Sequence, residues 1–215
     1  MYNKKFSTRV FTKEEDDLLN VLNRYGFMSF SQARYILSKF STCHNDKQAQ
    51  AVIYSFAKRR CVEWVDEHRF ISSYERDRSD YIDYDIVKAL GVILDVAKTY
   101  QDVQSAIIHS DVFRKLNFTT GGRLFAVSCL TDTDFLPNLF MNQQLFNEQM
   151  EQFNGKDELD NSDFEYTTIF VFSSHADKEK VLSTFDKATL KMPFEVWFLN
   201  EDDLADTLTF DKYHK

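Results

Sequence analysis

A chain of 215 residues with 21 Phe but only 5 Gly and 2 Pro can bury a sizeable core, which excludes a disordered or low-complexity protein. The formal net charge of −8 would argue against nucleic acid if it were evenly spread. It is not: residues 1–78 hold 14 Lys and Arg against 10 Asp and Glu, and residues 79–215 hold 12 against 24, a split that suggests two domains with different partners.

The chain opens Met1-Tyr-Asn-Lys-Lys5, with positive charge but no apolar stretch of the kind a signal peptide needs. No apolar run approaches the roughly 18 residues of a membrane helix. The expectation is a cytoplasmic protein with no membrane partner. Thr12-Lys-Glu-Glu15 has the form of a capping box, in which the Thr hydroxyl and the Glu carboxylate each accept from the other residue's backbone N–H. Leu18, Leu19, Leu22 and Tyr25 follow at helical spacing, and Gly26 ends the helix. A second helix starts at Ser29 or Ser31, with Ala33, Ile36, Leu37 and Phe40 as its apolar face. Ser41 to Asn45 is a polar turn, and Asn45 or Asp46 caps a third helix that runs to about Arg60. On that helix Ala49, Val52, Ile53 and Phe56 form the core stripe. Lys47, Ala51, Tyr54 and Lys58 form a second stripe at steps of four, three and four, flanked by Gln48, Gln50 and Ser55.

Beyond the third helix the period changes to two. Cys61–Val65 and Arg69–Ile71 flank Asp66-Glu-His68, which reads as a hairpin. Three helices and then a hairpin is the order of a winged helix-turn-helix, in which the third helix enters the major groove and the hairpin touches the backbone. The polar stripe suits that use, with Lys for phosphate, Gln for adenine edges, and Tyr and Ser for either. The candidate DNA-binding residues are Lys47, Gln48, Gln50, Tyr54 and Lys58, with Arg34 on the second helix and His68 and Arg69 in the hairpin. The expected domain spans residues 8–75. The bland alternative is a trihelical unit that only packs against a protein partner.

Glu75–Asp80 is a charged linker, and a second domain is expected over residues 82–213. It begins with a helix from about Asp83 to Tyr100, carrying Ile86, Val87, Leu90, Ile93, Leu94 and Ala97 on its apolar face. Strands Val112–Phe118 and Arg123–Leu130 are joined through Thr119-Thr-Gly-Gly122, where a Gly pair suits a tight hairpin. Phe135–Phe153 reads as helix and Asn154–Glu165 as an acidic loop. Tyr166–Phe172 is nearly continuously apolar, as a central strand is. A helix over Asp177–Ala188 and a strand Phe194–Leu199 complete a parallel crossover. The order α-β-β-α-β-α-β is that of an α/β layer domain, so the whole chain is of α+β class.

Phe11-Thr-Lys-Glu14, the Tyr25-Gly-Phe-Met-Ser29 junction and the Tyr84–Leu90 helix together resemble the replication-relaxation proteins of bacterial plasmids and conjugative elements. The likeness covers most of the chain and lies nearest the uncharacterised relatives of that group. It implies a C-terminal domain similar to the restriction-endonuclease fold, and a role at a DNA site in plasmid replication or transfer.

Nucleases of that fold place clustered carboxylates and a Lys beside the scissile phosphate to hold Mg²⁺. Neither Arg123–Leu130 nor Tyr166–Phe172 carries a carboxylate or Lys, and Asp111, Asp132 and Asp134 fall at strand ends. The domain is therefore expected to be a catalytically inactive scaffold, with no metal and no other cofactor. Cys43, Cys61 and Cys129 are odd in number and irregularly spaced, as free thiols are. Adjacent Cys43 and His44 cannot easily ligate one zinc together with Cys61 and His68. His109 and Ser110 adjoin near a strand start and His175 is placed to cap a helix, and neither has a catalytic partner. The leading expectation is sequence-specific binding of double-stranded DNA, as a regulator or accessory factor of a mobile element. The alternative is an adaptor whose acidic C-terminal domain recruits a protein partner.

Overall fold

A computed structural model of the chain describes residues 11–73, 84–100, 109–110, 115–120, 123–130, 166–187 and 193–214. The chain is mixed α and β and divides into two units, Met1–Ile82 and Asp83–Lys215.

The first unit is built on three capped helices. Helix α1 (Lys13–Tyr25) begins at the Thr12 capping box, where Glu15 N–H donates to Thr12 Oγ1 and Thr12 N–H donates to Glu15 Oε2 at 3.0 Å. Gly26 ends it at φ 82°, a left-handed conformation that costs a residue with a Cβ about 1–2 kcal/mol. Strand β1 (Phe27–Ser29) follows, wholly buried. Ser29 then caps helix α2 (Phe30–Lys39) through a second reciprocal box with Gln32. Asn45 caps helix α3 (Asp46–Lys58) by accepting from Gln48 N–H at 3.0 Å. Strands β2 (Val62–Val65) and β3 (Phe70–Ser73) form a hairpin, and β1 pairs with the far side of β3 to give a sheet ordered β1-β3-β2.

Leu18, Leu22, Met28, Leu37, Ile53, Phe56 and Phe70 make the core of this unit. Glu15 is buried yet satisfied, because Arg59 at the end of α3 reaches it at 2.7 Å. The same guanidinium lies over the Phe11 and Phe56 rings, so Arg59 locks α1 to α3 and belongs to the fold.

In the second unit, helix α4 (Tyr84–Tyr100) packs against a six-stranded sheet. The sheet runs β4 (His109–Ser110), β5 (Lys115–Thr120), β6 (Arg123–Leu130), β7 (Tyr166–Phe172), β8 (Phe194–Leu199), β9 (Phe210–His214) in that spatial order. Pairings are antiparallel from β4 to β6, parallel from β6 to β8, and antiparallel again to β9. Strand β7 is central, as its apolar run leads one to expect. Helix α5 (Lys178–Lys187) forms the β7-to-β8 crossover and seats Val181 and Phe185 on Phe170, Phe172, Val196 and Phe198. Residues on α4 beyond its expected stripe are also buried, including Ala89, Val92 and Val96.

Strand β5 runs Lys115–Thr120 rather than ending at Phe118, and Thr120 pairs with Arg123 across the turn. Strands β1, β4 and β9 are additions to the order read from sequence. The expected helix Phe135–Phe153, the acidic stretch Asn154–Glu165, and Asp111, Asp132 and Asp134 lie outside the described residues.

Candidate nucleic-acid interface

Helix α3 buries Ala49, Ile53 and Phe56 completely, while Val52 is half-buried at the edge of that stripe. The 3.6-residue period then forces Lys47, Ala51, Tyr54 and Lys58 outward, and all four are exposed. Among the described residues, neither Lys47 nor Lys58 has an ion-pair partner, so both ammonium groups are available to an anion. Gln50 is half-buried beside the stripe.

The other candidates are engaged. Gln48 Oε1 accepts from His44 N–H at 2.8 Å, so its amide folds back over the helix start. Arg34 Nε donates to Asp46 Oδ1 at 2.9 Å, and its Nη2 meets the other carboxylate oxygen. That bidentate pair ties α2 to the first residue of α3 and cancels the Arg charge. The same guanidinium lies over the Phe30 ring. Arg69 pairs with Asp66 at 3.3 Å inside the hairpin turn. Asp66 and Glu67 are both exposed at the tip, so the turn offers phosphate little net positive charge.

The turn is also strained. Asp66, Glu67 and His68 take φ values of 49°, 49° and 72°, all left-handed and none on glycine. This conformation sets the His68 imidazole against the Trp64 indole, with centroids 5.0 Å apart. Trp64 in turn touches Phe30 at 5.4 Å and Tyr54 at 5.5 Å, and Phe30 touches Tyr54 at 5.9 Å. An aromatic cluster from α2, α3 and β2 therefore flanks the exposed stripe, and Tyr54, 49% exposed, is where the two meet. Sequence reasoning placed Tyr54 on the outward stripe but missed this cluster. No periodic signal brings Phe30, Tyr54 and Trp64 together, since they lie on three elements.

In the second unit His175 does not cap α5. Asp177 does, accepting from Lys180 N–H at 3.0 Å, while His175 Nε2 lies 2.6 Å from Asp202. A hydrogen bond from Ser174 holds the Asp202 carboxyl below its ordinary range, with His175 adding to the effect. Strands β6 and β7 carry no Asp, Glu or Lys, and Glu195 on β8 accepts from Trp197 Nε1 at 2.6 Å. Among the described residues no three His, Cys, Asp or Glu side chains come together as a metal set. Cys43 and Cys61 are buried free thiols, and burial, with the Glu14 charge, pushes the Cys43 thiol up. No described helix is long and apolar enough to cross a membrane.

Comparison with protein-family models finds none that matches this chain, and comparison with curated proteins finds no similar sequence.

Proposed function

We propose that the first unit is a winged helix that binds double-stranded DNA through α3. The observation that carries this is the outward stripe Lys47–Ala51–Tyr54–Lys58, whose two lysines have no ion-pair partner among the described residues while the opposite face of the helix is core. The topology supports it: helix, strand, two helices and a hairpin, with the first strand closing a three-stranded sheet, is the arrangement that presents a third helix to a major groove. Lys47 and Lys58 would hold phosphates and Gln50 would reach a base edge. Arg34, Gln48 and Arg69 serve first to shape this face, through their bonds to Asp46, His44 and Asp66.

The second unit is read as a nuclease-like scaffold without catalysis. Its antiparallel strands followed by a parallel crossover suit that topology, and β6 and β7 lack the carboxylates and Lys a Mg²⁺-dependent nuclease uses. Its acid-rich composition suits a protein partner. Resemblance to replication-relaxation proteins would place the whole chain at a mobile-element DNA site, as regulator or accessory factor.

A competing reading, an adaptor that binds protein alone, draws on the acidic hairpin tip and the cancelled arginines. Salt titration of binding to a duplex separates the two. Two phosphate contacts from α3 give a log–log slope of at least about −1.8, since each neutralised phosphate contributes roughly 0.9. Absence of duplex binding at low salt would overturn the DNA-binding reading and favour the adaptor.

A further inference from the structure

The face of α3 is poor in groups that read base edges and rich in rings. Gln48 and Arg34 are tied up in the fold, which leaves half-buried Gln50 as the one amide beside the stripe on this helix. Against that stand Tyr54, Trp64 and Phe30 in mutual contact, with His68 packed on Trp64. Major-groove readout is most specific through bidentate hydrogen bonds from Arg, Lys, Asn or Gln. Capture of an unpaired base needs an aromatic face and a nearby cation, because every base has a π-face to stack.

The geometry supplies the second set. Along the helix axis Tyr54 lies about 10 Å from Lys47 and about 6 Å from Lys58, at 1.5 Å rise per residue. A strand following α3 would thus meet an ammonium on either side of the ring. Contacts with Phe30 and Trp64 on two other elements restrain the Tyr54 ring, so less freedom is lost when a base settles on it. The strained Asp66–His68 turn is what puts a fourth ring against Trp64.

We infer that the cluster around Tyr54 is a stacking platform for one unpaired base, so that this unit takes DNA with a local break in pairing over an uninterrupted duplex. The inference rests on α3 being the DNA-binding face. An unpaired base has already lost its partner, so it reaches the ring at lower cost than one drawn out of a duplex.

The test compares the full chain on a duplex and on the same duplex carrying a single-nucleotide bulge, by fluorescence anisotropy. The bulged duplex should bind roughly tenfold more tightly, the gain expected of one stacked base. Tyr54→Leu should erase that preference, and Tyr54→Phe should keep it. A parent-protein measurement covers the case in which Tyr54→Leu fails to fold. With 5-iodouracil as the bulged base, irradiation should cross-link the peptide that contains Tyr54. Equal affinity for the two duplexes, or cross-links only to other peptides, overturns the platform and leaves duplex binding standing. Binding to neither DNA overturns both readings.

Discussion

Replacing Asp46 by Asn should strengthen DNA binding and weaken the fold. Asp46 is the first residue of α3, and it holds Arg34 in a bidentate pair whose side chains are 34% and 57% exposed for Arg and Asp. An exposed pair of this kind contributes about 0.2–1 kcal/mol. A carboxylate in the first turn adds about 0.3–1 kcal/mol through the helix dipole. Losing both should cost about 1 kcal/mol, or roughly 4–8 °C in the melting temperature of a unit this size. On the binding side, Asn leaves the Arg34 charge uncompensated within reach of a backbone tracking α3. One added phosphate contact steepens the salt slope by about 0.9, which is roughly eightfold in affinity at 0.1 M salt. The assay is duplex binding across a salt series beside thermal melting, with Glu179→Gln on α5 as a control for net charge alone. If Asp46→Asn binds with the parent's slope, or Glu179→Gln gains as much, Arg34 lies off the DNA path and the reasoning fails.

Gly91→Ala in α4 should destabilise, although Ala is the better helix former by about 1 kcal/mol. A Cβ there would lie 2.6 Å from Leu208 Cδ1, and overpacking of that kind costs about 1–3 kcal/mol; in a Leu208→Ala background the same change should cost less, since only the contact with the Cβ of residue 208 at 3.2 Å remains, as chemical denaturation would show. Glu67→Gly should raise stability by up to about 1 kcal/mol by relieving a left-handed residue, and an unchanged denaturation midpoint would mean that the turn holds no strain. Burial pushes the Asp95 carboxyl up, but hydrogen bonds from Lys212 and Lys98 outweigh it and leave it below its ordinary value. A carboxyl depressed in the folded state stabilises above its unfolded pKa and loses that contribution as pH falls through the folded one. Stability should therefore drop on the acid side of pH ~4, and Asp95→Asn should remove that part of the drop in acid denaturation monitored by circular dichroism.

Local chemistry was legible in the sequence, and pairing between distant elements was not. The Thr12 box, the Gly26 stop, the Asn45 cap and the stripes of α3 each depend on residues within a turn or two, so spacing exposes them. Strand β1 was hidden because three residues are too few to show a period, and Phe27, Met28 and Ser29 are all buried. Strand β9 exists only by pairing with β8. Among the site residues, Lys47, Tyr54 and Lys58 face outward as the helical period dictates. The pairing of Arg34 was not legible because its partner Asp46 is twelve residues away. Gln48 could have been read better: Asn45-x-x-Gln48 has the form of a capping box, and that spacing marks an amide turned back on the helix start. The place of Trp64 among the rings was not legible, because its alternation within β2 says nothing of what α2 and α3 bring beside it.

The most direct test of the account is the salt slope of duplex binding by the Lys47→Ala/Lys58→Ala double variant. If α3 lies along the DNA, each lost ammonium removes one phosphate contact, and the slope should fall by about 1.8 with folding unchanged. Lys187→Ala, an exposed lysine of α5, should leave the slope as it is. A folded double variant whose affinity and slope match the parent would contradict the central claim, because DNA would then be held by some other face.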